Sequence, residues 1–576
     1  MDLRNEAERW LAADPDPDTR AELTALLAAG DHDVLAERFG ARLAFGTAGI
    51  RGPLGAGPAR MNRAVVRRVT AGLAAHLLAQ VPDVGERGVV VGRDARHKSD
   101  EFAADTAGVL AAAGIPVRCF AHPVPTPLLA FAVRHLETAA GVQVTASHNP
   151  GADNGYKVYW SGGAQIIPPL DDEISAAIDA VTGPVEVAGP GSALISNVDP
   201  GVVDGYVAAA LGSAVAGDAP GARDLRIAYT SMHGVGNDLA LRLLREAGFA
   251  DVHSVPEQAE PDPDFSTVPF PNPEEPGALD LALGLAAEVG ADLVLANDPD
   301  ADRIAVAVPA DGRWRALSGD EVGCVLAESL LTAGSGPDRL VGTTVVSSAL
   351  LGRIAEHHGV GFVTTLTGFK WLAAAAADAE AEGRRMVLAY EQALGVMVGT
   401  AVRDKDGLSA AVAVADLAAR LKGDGRTLVD ALDDLAWRHG LHVTRGRSLR
   451  LSGADGPQVV RRVLDGLRRD PPRELAGVAV AWIADHATGL RTSADDTTEP
   501  AGTPPADLFA IGLADGARLQ VRPSGTEPLL KFYFEVVEPV RAGPSRGGRL
   551  VSEARARAQA RLDRLSGTLL GSVGLR

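Results

Sequence analysis

The sequence predicts an α/β protein, and three observations carry that prediction. Short apolar runs of strand length alternate with helix-period stretches along most of the chain, as at 89–91 and 99–113, a pattern expected of mostly parallel sheets with crossover helices. The polar, glycine-bearing motifs fall just after those apolar runs, where such sheets present their loops. A chain of 576 residues, 46% hydrophobic and 22% charged, holds apolar material for about four cores at ~150 residues each. Its formal charge of −19 argues against non-specific nucleic-acid binding and requires a local basic pocket for any anionic substrate. Cys119 and Cys324 stand far apart and read as a small buried side chain and a free thiol, not a disulfide framework or a zinc site. The N-terminus, MDLRNEAERW, lacks the apolar core of a signal peptide, and no run of ~18 apolar residues follows, so a cytoplasmic protein with no membrane partner is expected.

Residues 1–43 form a helical extension, with Trp10, Leu11, Leu23, Leu26, Leu27, Leu35 and Phe39 spaced for apolar faces and the Asp-Pro-Asp-Pro run at 14–17 breaking it. The unit 44–203 opens on GTAGIRG at 46–52, whose glycines permit a close backbone turn and whose Arg51 offers a planar fork of donors. A strand at 89–91 runs into GRDAR at 92–96, placing Arg93, Asp94 and Arg96 as loop scaffolding near a site rather than in the core. A strand at 117–120 and a proline-rich turn at 123–127 follow. The central motif is TASHNP at 145–150, just past the alternating Val142 and Val144, with Asn154, Gly155, Tyr156 and Lys157 beyond it in a loop-rich run. One loop would thus gather a hydroxyl nucleophile, Ser147, with two proton-carrying groups, His148 and Lys157.

In the unit 204–320, a strand at 225–229 ends in TSMHGVG, but only Gly234 and Gly236 of a dinucleotide fingerprint are present, which argues against nicotinamide binding. NDPDADR at 297–303 lies between apolar runs at 293–296 and 304–308 and sets Asp298, Asp300 and Asp302 at alternate positions before Arg303. Carboxylates that close repel one another unless a cation neutralises them, and hard oxygen ligands suit Mg²⁺. The unit 321–438, with strands at 339–345, 361–364 and 386–389, offers TGFK at 367–370 and YEQALG at 390–395, whose Lys370 and Glu391 could reach a polyhydroxylated ligand. VRDKDG at 402–407 reads as a solvated turn with Arg403 and Lys405 as candidate phosphate contacts. In the unit 439–576, a strand at 519–521 leads into RPSGTEP, where Arg522, Ser524, Gly525 and Thr526 supply a guanidinium, two hydroxyls and backbone amides suited to a phosphate dianion.

A hydrolase needs only one phosphate site, whereas a separate cradle suits a substrate held by one phosphate while another phosphoryl group moves to or from the serine. On TASHNP, DPDADR and RPSGTEP, in that order between Gly46 and Tyr533, the chain resembles the α-D-phosphohexomutase superfamily of phosphoglucomutases and phosphomannomutases. The resemblance implies four domains around a central cleft, three related mixed α/β domains and a C-terminal α+β domain. It implies a phosphorylated Ser147 completing a Mg²⁺ shell with Asp298, Asp300 and Asp302, charge stabilisation by Arg51 and Arg303, and proton transfer by Lys157 and His148. It further implies that Arg522, Ser524, Gly525 and Thr526 clamp the resting phosphate. Sugar contacts would come from Thr367, Gly368, Lys370, Glu391 and Ala393, with Arg403 as a further phosphate contact. The expected partners are small-molecule sugar phosphates, with a hexose 1,6-bisphosphate as activator, acting on a monomer or homodimer.

The sugar loop departs from the common Glu-X-Ser-Gly-His pattern, since Ala393 cannot supply a second hydroxyl contact. With TLTGFKW at 365–371, DNGYKVYW at 153–160 and the helical extension, this is similar to the branch that includes phosphoglucomutase 2 and phosphopentomutase. Glucose phosphates are the expected substrate, with mannose and pentose phosphates as alternatives. A metal-dependent phosphatase would use the same serine and aspartates but not the distant cradle, and a non-catalytic sensor would not need all of the ligands present.

Overall fold

Asp16, ahead of Pro17, accepts the Asp18 amide at a helix N-terminus, and Asp31 does the same for Asp33 and Val34, so the polar break at 14–17 becomes a capped start. The computed structural model describes residues 3–214, 223–450, 456–523, 529–540 and 548–573. Three helices, Leu3–Ala13, Pro17–Ala29 and His32–Phe39, close over Ala7, Leu23, Leu27, Leu35 and Phe39, with Trp10 edge-on to Phe39.

The first sheet has six strands in the order Ile50–Pro53, Asp153–Trp160, Ala140–Val144, Val89–Arg93, Val117–Cys119, Ile195–Asn197. Its last four are parallel, while Asp153–Trp160 and Ile50–Pro53 add antiparallel. The loop-rich reading of 154–157 is therefore corrected: Lys157 stands on an antiparallel strand opposite Gln143, not on the serine's loop. The Asn-Gly pair looks like a turn signal, but the Asn154 amide is spent inside the fold, donating to the His97 carbonyl at 2.9 Å and the Ser99 hydroxyl at 3.0 Å, and Tyr156 and Val158 are buried in the core. Asp94 and Arg96 are also buried, so scaffolding and core are here the same residues.

The second sheet orders Arg313–Ala316, Ala305–Ala310, Leu293–Ala296, Ile227–Thr230, Val252–Ser254, with a parallel centre and an antiparallel edge. The third runs Gly361–Thr365, Arg339–Thr344, Arg385–Glu391, Gly395–Val398 on the same plan. The fourth is antiparallel, with Leu441–Arg450, Leu529–Glu538, Arg518–Pro523, Phe509–Leu513 and Val478–Asp485 in sequence across it, and it packs on the helices Gly456–Arg469 and Gly548–Ser572. The protein is thus built of three mixed α/β units and a C-terminal α+β unit.

Buried side chains join the first three units into one large core, reaching from Val90 and Leu128 through Tyr206 and Tyr229 to Leu408 and Leu435. The fourth sheet keeps a core of its own around Leu519, Phe532, Phe534 and Leu562. Among the described residues no helix is long and apolar enough to cross a membrane. The strands ending at Val144, Ala296 and Glu391 carry the serine, aspartate and sugar-loop motifs at their C-terminal ends, which is where parallel sheets place their sites.

Candidate active site

Ser147 lies three residues past its strand with a left-handed φ of 54°, a strained conformation for a residue with a side chain. The loop is held in it by the buried Arg96, which donates to the carbonyls of Ser147 at 2.7 Å, Asn149 at 2.5 Å, Pro150 at 2.8 Å and Asp153 at 3.1 Å. Asp94 balances that guanidinium at 3.3 Å, and the Phe265 ring lies 4.7 Å from it. Thr145 accepts the Ser147 amide at 2.9 Å. The Ser147 hydroxyl then donates to Asp298 Oδ2 at 3.0 Å and lies 3.2 Å from His148 Nδ1. Arg303 Nη2 faces His148 Nε2 at 3.5 Å; since guanidinium only donates, the neutral ring carries its proton on Nδ1. Burial, then Arg303 and Arg51, pull the His148 pKa well below its ordinary value, so the ring stays neutral near pH 7.

Asp298, Asp300 and Asp302 are buried, with one ligand oxygen from each lying within 4.8 Å of the others. Ala301, at φ 58°, turns the chain so tightly that all three face one point. Asp300 Oδ2 accepts from the Thr126 hydroxyl at 2.6 Å and Lys157 Nζ at 2.7 Å. Asp302 Oδ2 accepts from Lys157 and from Lys405, each at 3.0 Å. Burial opposes ionisation throughout. Asp298 yields to it and to its two acidic neighbours and is pushed well up, whereas Asp302 is held down by Lys157, Lys405 and Arg303. Asp300 Oδ1 and Asp302 Oδ1 are buried without a hydrogen-bond partner. Orphaned hard oxygens among three converging carboxylates fit a small divalent cation.

Arg51 is brought in by the strand Ile50–Pro53, where it pairs opposite Gly155 and donates to Asn149 Oδ1 at 2.9 Å. The approach needs Gly49, at φ 73°, because a Cβ there would lie 1.8 Å from the Tyr156 carbonyl oxygen.

The sugar-loop candidates form a second group. Glu391 accepts the Gly368 amide at 2.7 Å, and burial raises its pKa. Lys370 donates to Thr47 of the GTAGIRG turn, and Arg522 donates to Thr367. Burial lowers the Lys370 pKa. Ala393 is half-buried beside Leu394, whose carbonyl accepts the Ile304 amide at 3.0 Å. Arg303 bridges to Gly395, so the aspartate and sugar loops are stitched together. Ser524, Gly525 and Thr526 lie outside the described residues.

One expectation fails at 402–407. The turn is not solvated: Val402, Asp404 and Asp406 are buried, with Asp404 accepting from Tyr159 at 2.8 Å and Gln165 at 2.7 Å. Arg403 pairs with Glu380, which also pairs with Arg134, and Lys405 pairs with Asp302 at 3.0 Å. Sequence reasoning also missed Thr126, inside the noted proline-rich turn, and Glu274, whose carboxylate meets Arg303 Nη1 at 3.2 Å. Neither has a local signal, because the partner of each is remote in the chain.

Four family models match the chain: phosphoglucomutase/phosphomannomutase alpha/beta/alpha domains I over 42–183, II over 204–312 and III over 318–436, and the C-terminal domain over 464–543. The chain is 40% identical over 564 residues to a protein of Schizosaccharomyces pombe described as a probable phosphoribomutase, covering 92% of this chain and 93% of that one. A phosphopentomutase of Mus musculus is 36% identical over 94% of this chain and 91% of its own length. A phosphoglucomutase of Staphylococcus haemolyticus is 36% identical over 86% and 91%. In fold, the chain resembles the crystal structure of a phosphoglucomutase/phosphomannomutase family protein from Burkholderia thailandensis, with TM-score 0.64, 21% identity and 92% and 97% coverage. With all four domain models matched in order, the chain belongs to the phosphoglucomutase/phosphomannomutase family, whose enzymes are isomerases that move phosphate within a sugar phosphate.

Proposed function

We propose that the protein interconverts sugar 1-phosphates with their 5- or 6-phosphates through a phosphorylated Ser147 and a sugar bisphosphate. The observation that carries this is the Ser147 hydroxyl, held at φ 54° and 3.0 Å from Asp298 beside two other buried carboxylates. Mg²⁺, held by Asp298, Asp300, Asp302 and an oxygen on Ser147, would supply positive charge against the transferring phosphoryl group. Arg51 and Arg303 flank that group and stabilise the charge spread over its oxygens. Lys157 and the neutral His148 are the proton carriers for the sugar hydroxyl. Glu391 and Lys370 read sugar hydroxyls, and Arg522, with Ser524, Gly525 and Thr526 next to it, holds the phosphate that is not reacting. The bisphosphate turns over between the two transfers, and a hexose 1,6-bisphosphate restores any Ser147 that has lost its phosphoryl group.

Glucose phosphate is the first substrate. Pentose phosphate is a second reading, supported by the names of the phosphoribomutase and phosphopentomutase relatives and by Ala393, which leaves the loop one hydroxyl short. The test is a coupled assay with Mg²⁺ and a trace of sugar bisphosphate on glucose, mannose and ribose 1-phosphates, using wild type and Ser147→Ala. Isomerisation of one sugar that vanishes in Ser147→Ala is expected. Release of inorganic phosphate without isomer would instead make the protein a phosphatase, and full activity in Ser147→Ala would sink the serine mechanism.

A further inference from the structure

Arg303 is fixed unevenly. Its backbone is tied on several sides: its amide donates to Asp298 Oδ1 at 3.0 Å and its carbonyl accepts Asn297 Nδ2 at 2.6 Å. Its guanidinium is not. Nη1 meets Glu274 Oε2 at 3.2 Å, Nη2 has only a 3.5 Å approach to His148, and Nε is buried with no partner. A planar fork anchored by a carboxylate on one edge keeps its remaining donors aimed in one direction. Here those donors lie beside His148, the neighbour of Ser147.

Glu274 comes from the segment between the helices Pro256–Ala259 and Asp280–Val289, and that segment is a firm platform. Pro271, Asn272 and Pro273 are buried, and Asn272 Oδ1 accepts the Glu274 amide at 3.2 Å. Its earlier part lies against the serine loop: Asp264 pairs with His97 at 2.8 Å, and Phe265 underlies Arg96. The Glu274 head itself is 41% exposed and Arg303 14%, so the carboxylate stands at the mouth of the site rather than inside it. Burial raises the Tyr533 pKa, Arg522 opposes that rise, and Glu391 and Glu274 add to it.

We propose that Glu274 is a positioning residue that orients the Arg303 guanidinium toward the phosphoryl group on Ser147. The inference rests on the mutase reading for the role of Arg303. Without Glu274 the Nη1 edge loses its carboxylate anchor and the side-chain torsions are less restrained, so the transfer loses a preoriented donor while sugar binding, which other loops carry, is kept.

The test is a double-mutant cycle of Glu274→Gln, Arg303→Ala and the pair, read by mutase kcat and KM and by the rate at which phosphorylated enzyme passes its phosphoryl group to sugar phosphate. Loss of one preoriented donor predicts a fall of about 10-fold in kcat and transfer rate for Glu274→Gln, with KM nearly unchanged. Adding Glu274→Gln to Arg303→Ala should cost nothing further. The melting temperature of Glu274→Gln should hardly move, since the carboxylate that is changed is 41% exposed. Three outcomes would overturn the proposal: wild-type kcat in Glu274→Gln, a loss that adds fully to that of Arg303→Ala, or a loss matched by a lowered melting temperature. Activity retained in Ser147→Ala would strike the mutase reading instead, so the two failures are separable.

Discussion

Lys157 and Lys405 explain how three carboxylates survive together in the interior. Each is a cation lying 3.0 Å from Asp302, and Lys157 also reaches Asp300 at 2.7 Å. In Lys157, burial lowers the pKa but the two aspartates more than offset it, so the amine stays charged. Removing one partner of such a buried set leaves uncompensated charge and costs about 3 kcal/mol. Lys157→Met should therefore melt well below wild type in the presence of a chelator. Mg²⁺ should restore more stability to the variant than to wild type, because the ion then replaces the missing positive charge. Thermal unfolding with and without Mg²⁺ reads this directly, and an equal response in both proteins would mean that the lysine is not a counter-ion for the cation site. His148 gives a second check at this scale. Since burial and the arginines lower its pKa, nitrogen-15 spectra of its ring should show the neutral Nδ1–H form at pH 6, where a free imidazole is largely protonated.

At the scale of elements, the aspartate loop is held in shape from outside its own unit. The helix Gly407–Gly423 starts against it, and a Cβ on Gly407 would lie 2.1 Å from the Arg303 carbonyl oxygen and 2.5 Å from Asn297 Nδ2. Gly407→Ala must displace Arg303 or the helix start. The expected result is loss of most mutase activity together with weaker Mg²⁺ binding by calorimetry, and a variant with normal metal affinity would show that the loop tolerates the shift. This dependence marks what the sequence could and could not disclose. Ser147 and the three aspartates were legible because each chemistry is written in one contiguous run after an apolar strand. The strand Asp153–Trp160 was hidden by its Asn-Gly turn signal, and the turn at 402–407 by its charges, whose buried partners lie on other elements. Thr126 reaches Asp300 from 174 residues away, a separation over which no pattern of spacing operates.

At the scale of the whole molecule, the C-terminal unit has its own apolar core and is joined to the third unit through a buried polar hub. Glu535 accepts from the Ser348 hydroxyl at 2.6 Å, the Ala349 amide at 3.0 Å and His442 at 2.9 Å, and it pairs with Arg518. Arg518 and Gln520 also donate to the Val345 carbonyl, and Thr444 donates to Asp320 at 2.7 Å. Burial opposes the Glu535 charge, but Arg518 and His442 overcome it and hold the carboxyl at about 2. The folded pKa is thus depressed below the unfolded value, so the stabilisation is complete above the ordinary glutamate range and is lost as pH falls from there toward 2. A shift of that size corresponds to about 3 kcal/mol, as an order of magnitude. Wild type should lose urea resistance in the C-terminal unit steeply over that window. Glu535→Gln should be weaker at pH 7 and nearly flat across the same range, so that the two midpoints converge on acidification. Parallel curves would place the acid sensitivity elsewhere, whereas convergence would identify Glu535 and its partners as its source.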